Sequence, residues 1–172
     1  MVKVGFISLG CSKNLVDTEV MLRVLHERGY EITPDETEAE IIIVNTCGFI
    51  ESAKQESIDN ILDTDKLKTL GKCRHTIATG CLVERYREEV MKELPEVDAL
   101  VGVGSIFDIA DACDAVLRGE KYTSFKDKNT SPLGGERILT TDEHTAYLKI
   151  AEGCDNLCTY CAIPLIRGRL RS

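Results

Sequence analysis

Ile41-Ile42-Ile43-Val44 is an unbroken β-branched run. A strand with one wet face alternates apolar and polar residues, so a run without alternation belongs to a strand covered on both faces, as in a parallel sheet between two helical layers. The rest of residues 1–118 agrees with that reading. Strand patterns at Val2–Leu9, Tyr30–Thr33, Ile41–Val44, His75–Thr79 and Val97–Val103 alternate with helical patterns at Asn14–Arg28, Ile50–Leu67 and Val83–Leu94. A last helix runs from Ser105, a candidate N-cap, to Arg118. Within the first helix Val16, Val20, Leu22, Val24 and Leu25 supply the apolar positions, and Gly29 is placed as its C-cap.

The pattern predicts an α/β fold: a three-layer open parallel five-stranded sheet with helices on both faces, flavodoxin-like, in the order 2-1-3-4-5. Residues 119–144 change character. Lys121, Lys126, Lys128, Asn129, Thr130, Ser131, Pro132, Gly134 and Gly135 mark a polar linker. Ala146-Tyr147-Leu148-Lys149-Ile150 then alternates like one more strand, opening a segment, 145–172, that carries its own motif.

That motif is Cys154-x3-Cys158-x2-Cys161, with Tyr160 before the third cysteine and no fourth Cys or His after it. Three thiolates this close can hold three corners of a cubane iron–sulfur cluster, whose full protein ligation needs four, so one iron stays open for chemistry. A zinc site is the competing reading, but zinc modules use two separated ligand pairs. Three more cysteines follow strands: Cys11 after the first, Cys47 after the third, Cys81 after the fourth. In the order 2-1-3-4-5 those strands are neighbours, about 4.8 Å apart, so the outer two lie about 10 Å apart and inward-bending loops can bring the thiols onto one cluster. Ligands of open parallel sheets bind at these carboxyl ends. Gly10, Gly48 and Gly80 beside the cysteines allow close approach of backbone.

A cysteine ending a strand is ordinarily a small buried apolar residue, and Cys73 and Cys113, outside the strand-end pattern, are read so. His26, His75 and His144 lack ligand spacing. Gly102-Val103-Gly104-Ser105 is half a dinucleotide fingerprint without its third glycine, and Gly134-Gly135-Glu136 reads as linker. Eight cysteines in a chain that opens directly on a strand, with no signal-peptide pattern and no apolar stretch near the roughly 20 residues of a membrane helix, predict a cytoplasmic protein whose thiols serve metal or catalysis, with no membrane partner. A net charge of −8 speaks against direct nucleic-acid binding by this segment and suits a basic protein partner.

The cluster loop resembles that of the radical S-adenosylmethionine enzymes. With Gly10-Cys11-Ser12-Lys13-Asn14-Leu15-Val16-Asp17-Thr18-Glu19, Asn45-Thr46-Cys47-Gly48-Phe49-Ile50, Ala78-Thr79-Gly80-Cys81-Leu82 and Ala162-Ile163-Pro164, nearly the whole chain is similar to the methylthiotransferases. Ser12-Lys13-Asn14 followed by Asp17-Thr18-Glu19 resembles the branch that modifies a ribosomal protein, placing a methylthio group on the β-carbon of an aspartate in small-subunit protein twelve. The resemblance implies two [4Fe–4S] clusters, one on Cys154, Cys158 and Cys161 with S-adenosylmethionine on its open iron and Tyr160 against the adenine, the other on Cys11, Cys47 and Cys81 carrying the sulfur. It also implies an external electron donor and no general base. By the same resemblance, 1–118 is the auxiliary-cluster domain, 119–144 the linker, and 145–172 the first strand and cluster loop of a truncated radical barrel, inactive alone. The same chemistry on a tRNA adenosine, a non-catalytic iron–sulfur or zinc module, and a flavin-binding domain are the alternative readings.

Overall fold

The computed structural model describes all 172 residues. Six parallel strands form one sheet: β1 (Lys3–Ser8), β2 (Glu31–Thr33), β3 (Ile41–Thr46), β4 (His75–Gly80), β5 (Ala99–Val101) and β6 (Tyr122–Ser124), in the order β2-β1-β3-β4-β5-β6. The expected order 2-1-3-4-5 stands, with one strand added at the edge. That strand falls inside the polar stretch read as linker: β6 pairs with β5 through Ala99–Tyr122, Leu100–Thr123 and Val101–Ser124. Three residues at an edge, all of them hydroxylic, carry too little alternation to announce a strand.

Helices α1 (Ser12–Arg28) and α5 (Ile109–Leu117) cover one face; α2 (Glu51–Leu70), α3 (Cys81–Arg85) and α4 (Arg87–Glu93) cover the other. The β-branched run shows why two layers are needed. All six residues of β3 are buried. Ile41 and Ile43 pack with Val20, Met21 and Leu25 of α1, while Ile42 and Val44 pack with Ile61 of α2 and Leu82 and Val83 of α3. Period-two alternation therefore feeds two separate cores from one strand. Cys73 and Cys113 lie in these cores as packing residues.

Other boundaries move for identifiable reasons. The helix expected over Val83–Leu94 starts at Cys81 and breaks at Tyr86 (φ −122°, ψ 39°). Leu82 and Val83 before the break and Val90 and Leu94 after it still reach the same core. Ser105 caps no helix. Its hydroxyl accepts a hydrogen bond from the Lys126 amide at 2.8 Å and one from Ser124 at 3.0 Å, tying the 3₁₀ turn Val103–Asp108 to the segment at β6. The strand expected at Ala146–Ile150 has no pairing partner in this chain, and only Glu152 bridges, antiparallel, to Arg171. A short helix α6 (Ile163–Arg167) closes the described elements. No helix is long and apolar enough to cross a membrane.

Candidate metal centre

The strand order reverses between β1 and β3, and Cys11 and Cys47 leave the sheet on either side of that point. Cys81 leaves from the next strand, where register aligns Thr46 with Gly80. The three loops abut. A β-carbon on Gly10 would lie 3.0 Å from Cys47 Sγ, and one on Gly48 would lie 2.7 Å from the Leu82 backbone. Only glycine leaves that space clear.

Polar side chains stitch the loops together. Asn14 donates to the Leu9 and Thr46 carbonyls, each at 2.9 Å, so it joins the turn after β1 to the end of β3. Asn45 donates to the Asn14 carbonyl and to Thr18 Oγ1, also at 2.9 Å. The Ser57 hydroxyl accepts from the Cys47 amide at 2.9 Å, and Arg85 donates to the Gly48 carbonyl at 2.9 Å. Asn45 and Thr46 are polar residues ending an apolar strand, which is the one local signal that could have identified them in advance.

The thiols differ in access. Cys11 and Cys158 are exposed, Cys47, Cys154 and Cys161 half-buried, and Cys81 buried. Burial pushes the Cys81 thiol above its ordinary value, opposed by the charge of Arg167, whose Nη2 lies 3.3 Å from Sγ. Burial also raises Cys73 and Cys113. In metal-free protein, iodoacetamide is expected to label Cys11 and Cys158 at least roughly tenfold faster than Cys73, Cys81 and Cys113, read by peptide mass mapping at neutral pH. Equal rates across the five would show that the core opens and that this assignment of access is wrong.

No three His, Cys, Asp or Glu side chains converge as a single ion would require. Thiolates on one zinc must come within about 4 Å of each other, given Zn–S near 2.3 Å. A cubane instead spreads its thiolates over different irons, so wider spacing suits it. The donor chemistry fits that group: each set offers three soft thiols, and glycine keeps side-chain carbon away from Cys47 Sγ.

The second set stands in a loop folded back on the first. The Cys154 amide donates to the Gly168 carbonyl at 3.1 Å and the Cys161 amide to the Cys158 carbonyl at 3.1 Å. Ile166 and Ala162 pack on Cys81 and Val103. Tyr160, expected against a nucleoside, is 90% exposed. A buried ionic network holds the two parts together: Lys149 and Arg167 each reach Asp17 at 2.5 Å, and Glu152 lies 3.3 Å from Lys149 and 3.2 Å from Arg167. Burial would raise the Glu152 carboxyl, but the charges of Arg167, Lys149 and Lys13 hold it below the usual range. Sequence reading missed Arg167, because its partners stand 15 to 153 residues away and leave no local pattern.

The chain is 51% identical, over 172 residues, to the ribosomal protein uS12 methylthiotransferase RimO of Symbiobacterium thermophilum, covering 99% of this chain and 36% of that protein. It is 53% identical to the RimO of Lachnoclostridium phytofermentans (99% and 39%) and 50% identical to that of Caldicellulosiruptor saccharolyticus (100% and 40%). The chain thus spans about two fifths of the length of the curated relatives it matches. The family model described as "Uncharacterized protein family UPF0004" matches residues 3–102, more than half of the chain and nearly all of the parallel sheet. The chain therefore belongs to that family.

Proposed function

We propose that this chain forms the N-terminal part of a radical S-adenosylmethionine methylthiotransferase that modifies ribosomal protein uS12, at the β-carbon of an aspartate. The observation that carries the reading is the placement of Cys11, Cys47 and Cys81 at the ends of three adjacent parallel strands, with the Cys154–Cys161 loop folded back beside them. Residues up to 118 carry the first cysteine set, and 145–172 begin the domain of the second. Cys154, Cys158 and Cys161 would hold one [4Fe–4S] cluster and Cys11, Cys47 and Cys81 another, supplying reductive cleavage of S-adenosylmethionine at the first, with an external electron donor, and the sulfur at the second.

The chain's own residues prepare those places. Gly10 leaves room at Cys47, Asn14 and Asn45 fix the loops, and Arg167 faces Cys81 with a positive charge. Tyr160, on the exposed side of its loop, is available to stack on an adenine. The net charge of −8 suits a basic ribosomal protein held by complementary charge in the cytoplasm.

The test is iron and acid-labile sulfide per full-length chain after anaerobic reconstitution, with Cys11→Ala and Cys158→Ala alongside. About eight irons, falling to about four in either variant, is the expected result. About four irons lost only with Cys158→Ala would remove the upstream cluster from the reading. Loaded protein offered uS12 and tRNA in parallel should methylthiolate uS12; modification of tRNA alone would overturn the substrate.

A further inference from the structure

Arg167 is 5% exposed and joins Cys81 of the upstream set to Glu152, two residues before the second set begins. Its Nη2 contacts Asn14 Oδ1 and lies 3.3 Å from Cys81 Sγ, on the upstream set. Its Nη1 lies 2.5 Å from Asp17 and 3.2 Å from Glu152, two residues before Cys154. Asp17 and Glu152 also share Lys149, and Lys13 reaches Glu152 at 3.3 Å and the Ala151 carbonyl at 2.6 Å. Three cations therefore face two carboxylates, and one of the three, Arg167, stands against Cys81. A planar fork with several donors can serve four partners in fixed directions, which an ammonium cannot.

We propose that Arg167 is a positioning residue that sets the Cys154–Cys161 loop over the upstream cysteines and tunes the group they hold. The tuning half rests on the two-cluster reading above; the positioning half stands on the contacts alone. Hydrogen bonds to ligand sulfurs and nearby charge govern the potentials of iron–sulfur centres, and a cation there favours the reduced form.

The experiment uses full-length protein, metal-free and anaerobically loaded, as wild type, Arg167→Gln and Arg167→Lys. Amide exchange is followed at Glu152, Cys154 and Arg171, whose N–H groups close the docked segment. The potential of the upstream cluster is read in a background carrying Cys154→Ala, Cys158→Ala and Cys161→Ala. Both variants are expected to raise exchange at the three amides by about tenfold or more, because neither side chain has the fork. Arg167→Gln should also move the potential to more negative values, and Arg167→Lys, which keeps the charge and the folded core, should restore it toward wild type. Unchanged exchange in both variants overturns the positioning role. An unchanged potential in Arg167→Gln, with iron retained, overturns the tuning role. Wild-type protein that holds no iron would sink the two-cluster reading and the tuning role with it, while exchange in the metal-free protein still decides the positioning role.

Discussion

Gly80→Ala is expected to cost about 4 kcal/mol of folding stability, measured as the shift in urea-unfolding free energy of metal-free protein. Gly80 ends β4 at φ +93°, ψ −159°, a conformation open in practice only to glycine, and a side chain there costs roughly 1–3 kcal/mol in strain. The space is also occupied. A β-carbon would stand 2.4 Å from Asn45 Oδ1 and 2.5 Å from the Thr46 carbonyl oxygen. The first could swing away only by giving up its buried bonds to Asn14 and Thr18, and the second is backbone of the paired strand, so overpacking adds roughly 1–3 kcal/mol. Such a loss is a large fraction of the 5–15 kcal/mol typical of a whole domain. Because Gly80 directly precedes Cys81, reconstitution should fail at the upstream set as well. An unfolding free energy within about 0.5 kcal/mol of wild type would mean that β3 and β4 are not packed as described.

Asp17→Ala is the second large effect, and it should appear locally before it appears globally. Asp17 takes the charges of Arg167 and Lys149, all three side chains being 5–7% exposed. Removing one member of a buried pair typically costs 3–5 kcal/mol, because the partners stay desolvated. Here they need not stay so. Residues 149–171 can lift off and return both cations to water, so the measured loss is capped by the free energy of docking that segment. Native-state trypsin cleavage after Lys149 and Arg167 reports the opened population when closing outpaces cutting. A loss of about 3 kcal/mol predicts cleavage roughly two orders of magnitude faster than in wild type. The urea midpoint of the sheet should move much less. Wild-type cleavage rates in Asp17→Ala would show that the network does not hold the segment down.

Much of this was legible in the chain, for a physical reason. Strand and helix periods are local, so Ile41–Val44 could be read as doubly covered and Asn14–Arg28 as a helix closed by Gly29, within two residues of the observed β3 and α1. Parallel strands in register end at one level, so cysteines following strands one, three and four had to share an edge once the order 2-1-3-4-5 was in hand. Short range also explains what was lost. Strand β6 spans three residues, and the break at Tyr86 and the turn at Ser105 depend on contacts with other elements. The expected strand at Ala146–Ile150 finds no neighbour here to give its backbone a ladder.

The chemistry divides in the same way. Thiol identity, the count of three per set and the glycines at their side are properties of short segments, readable before any folding. Which thiol is buried, how Asn14 joins two loops, and that one guanidinium joins Cys81 to Glu152 depend on side chains up to 153 residues apart meeting in one desolvated place. Charge pairing at that range has no sequence period, since it arises only when the packed core has brought its partners within a few ångströms and removed the water between them.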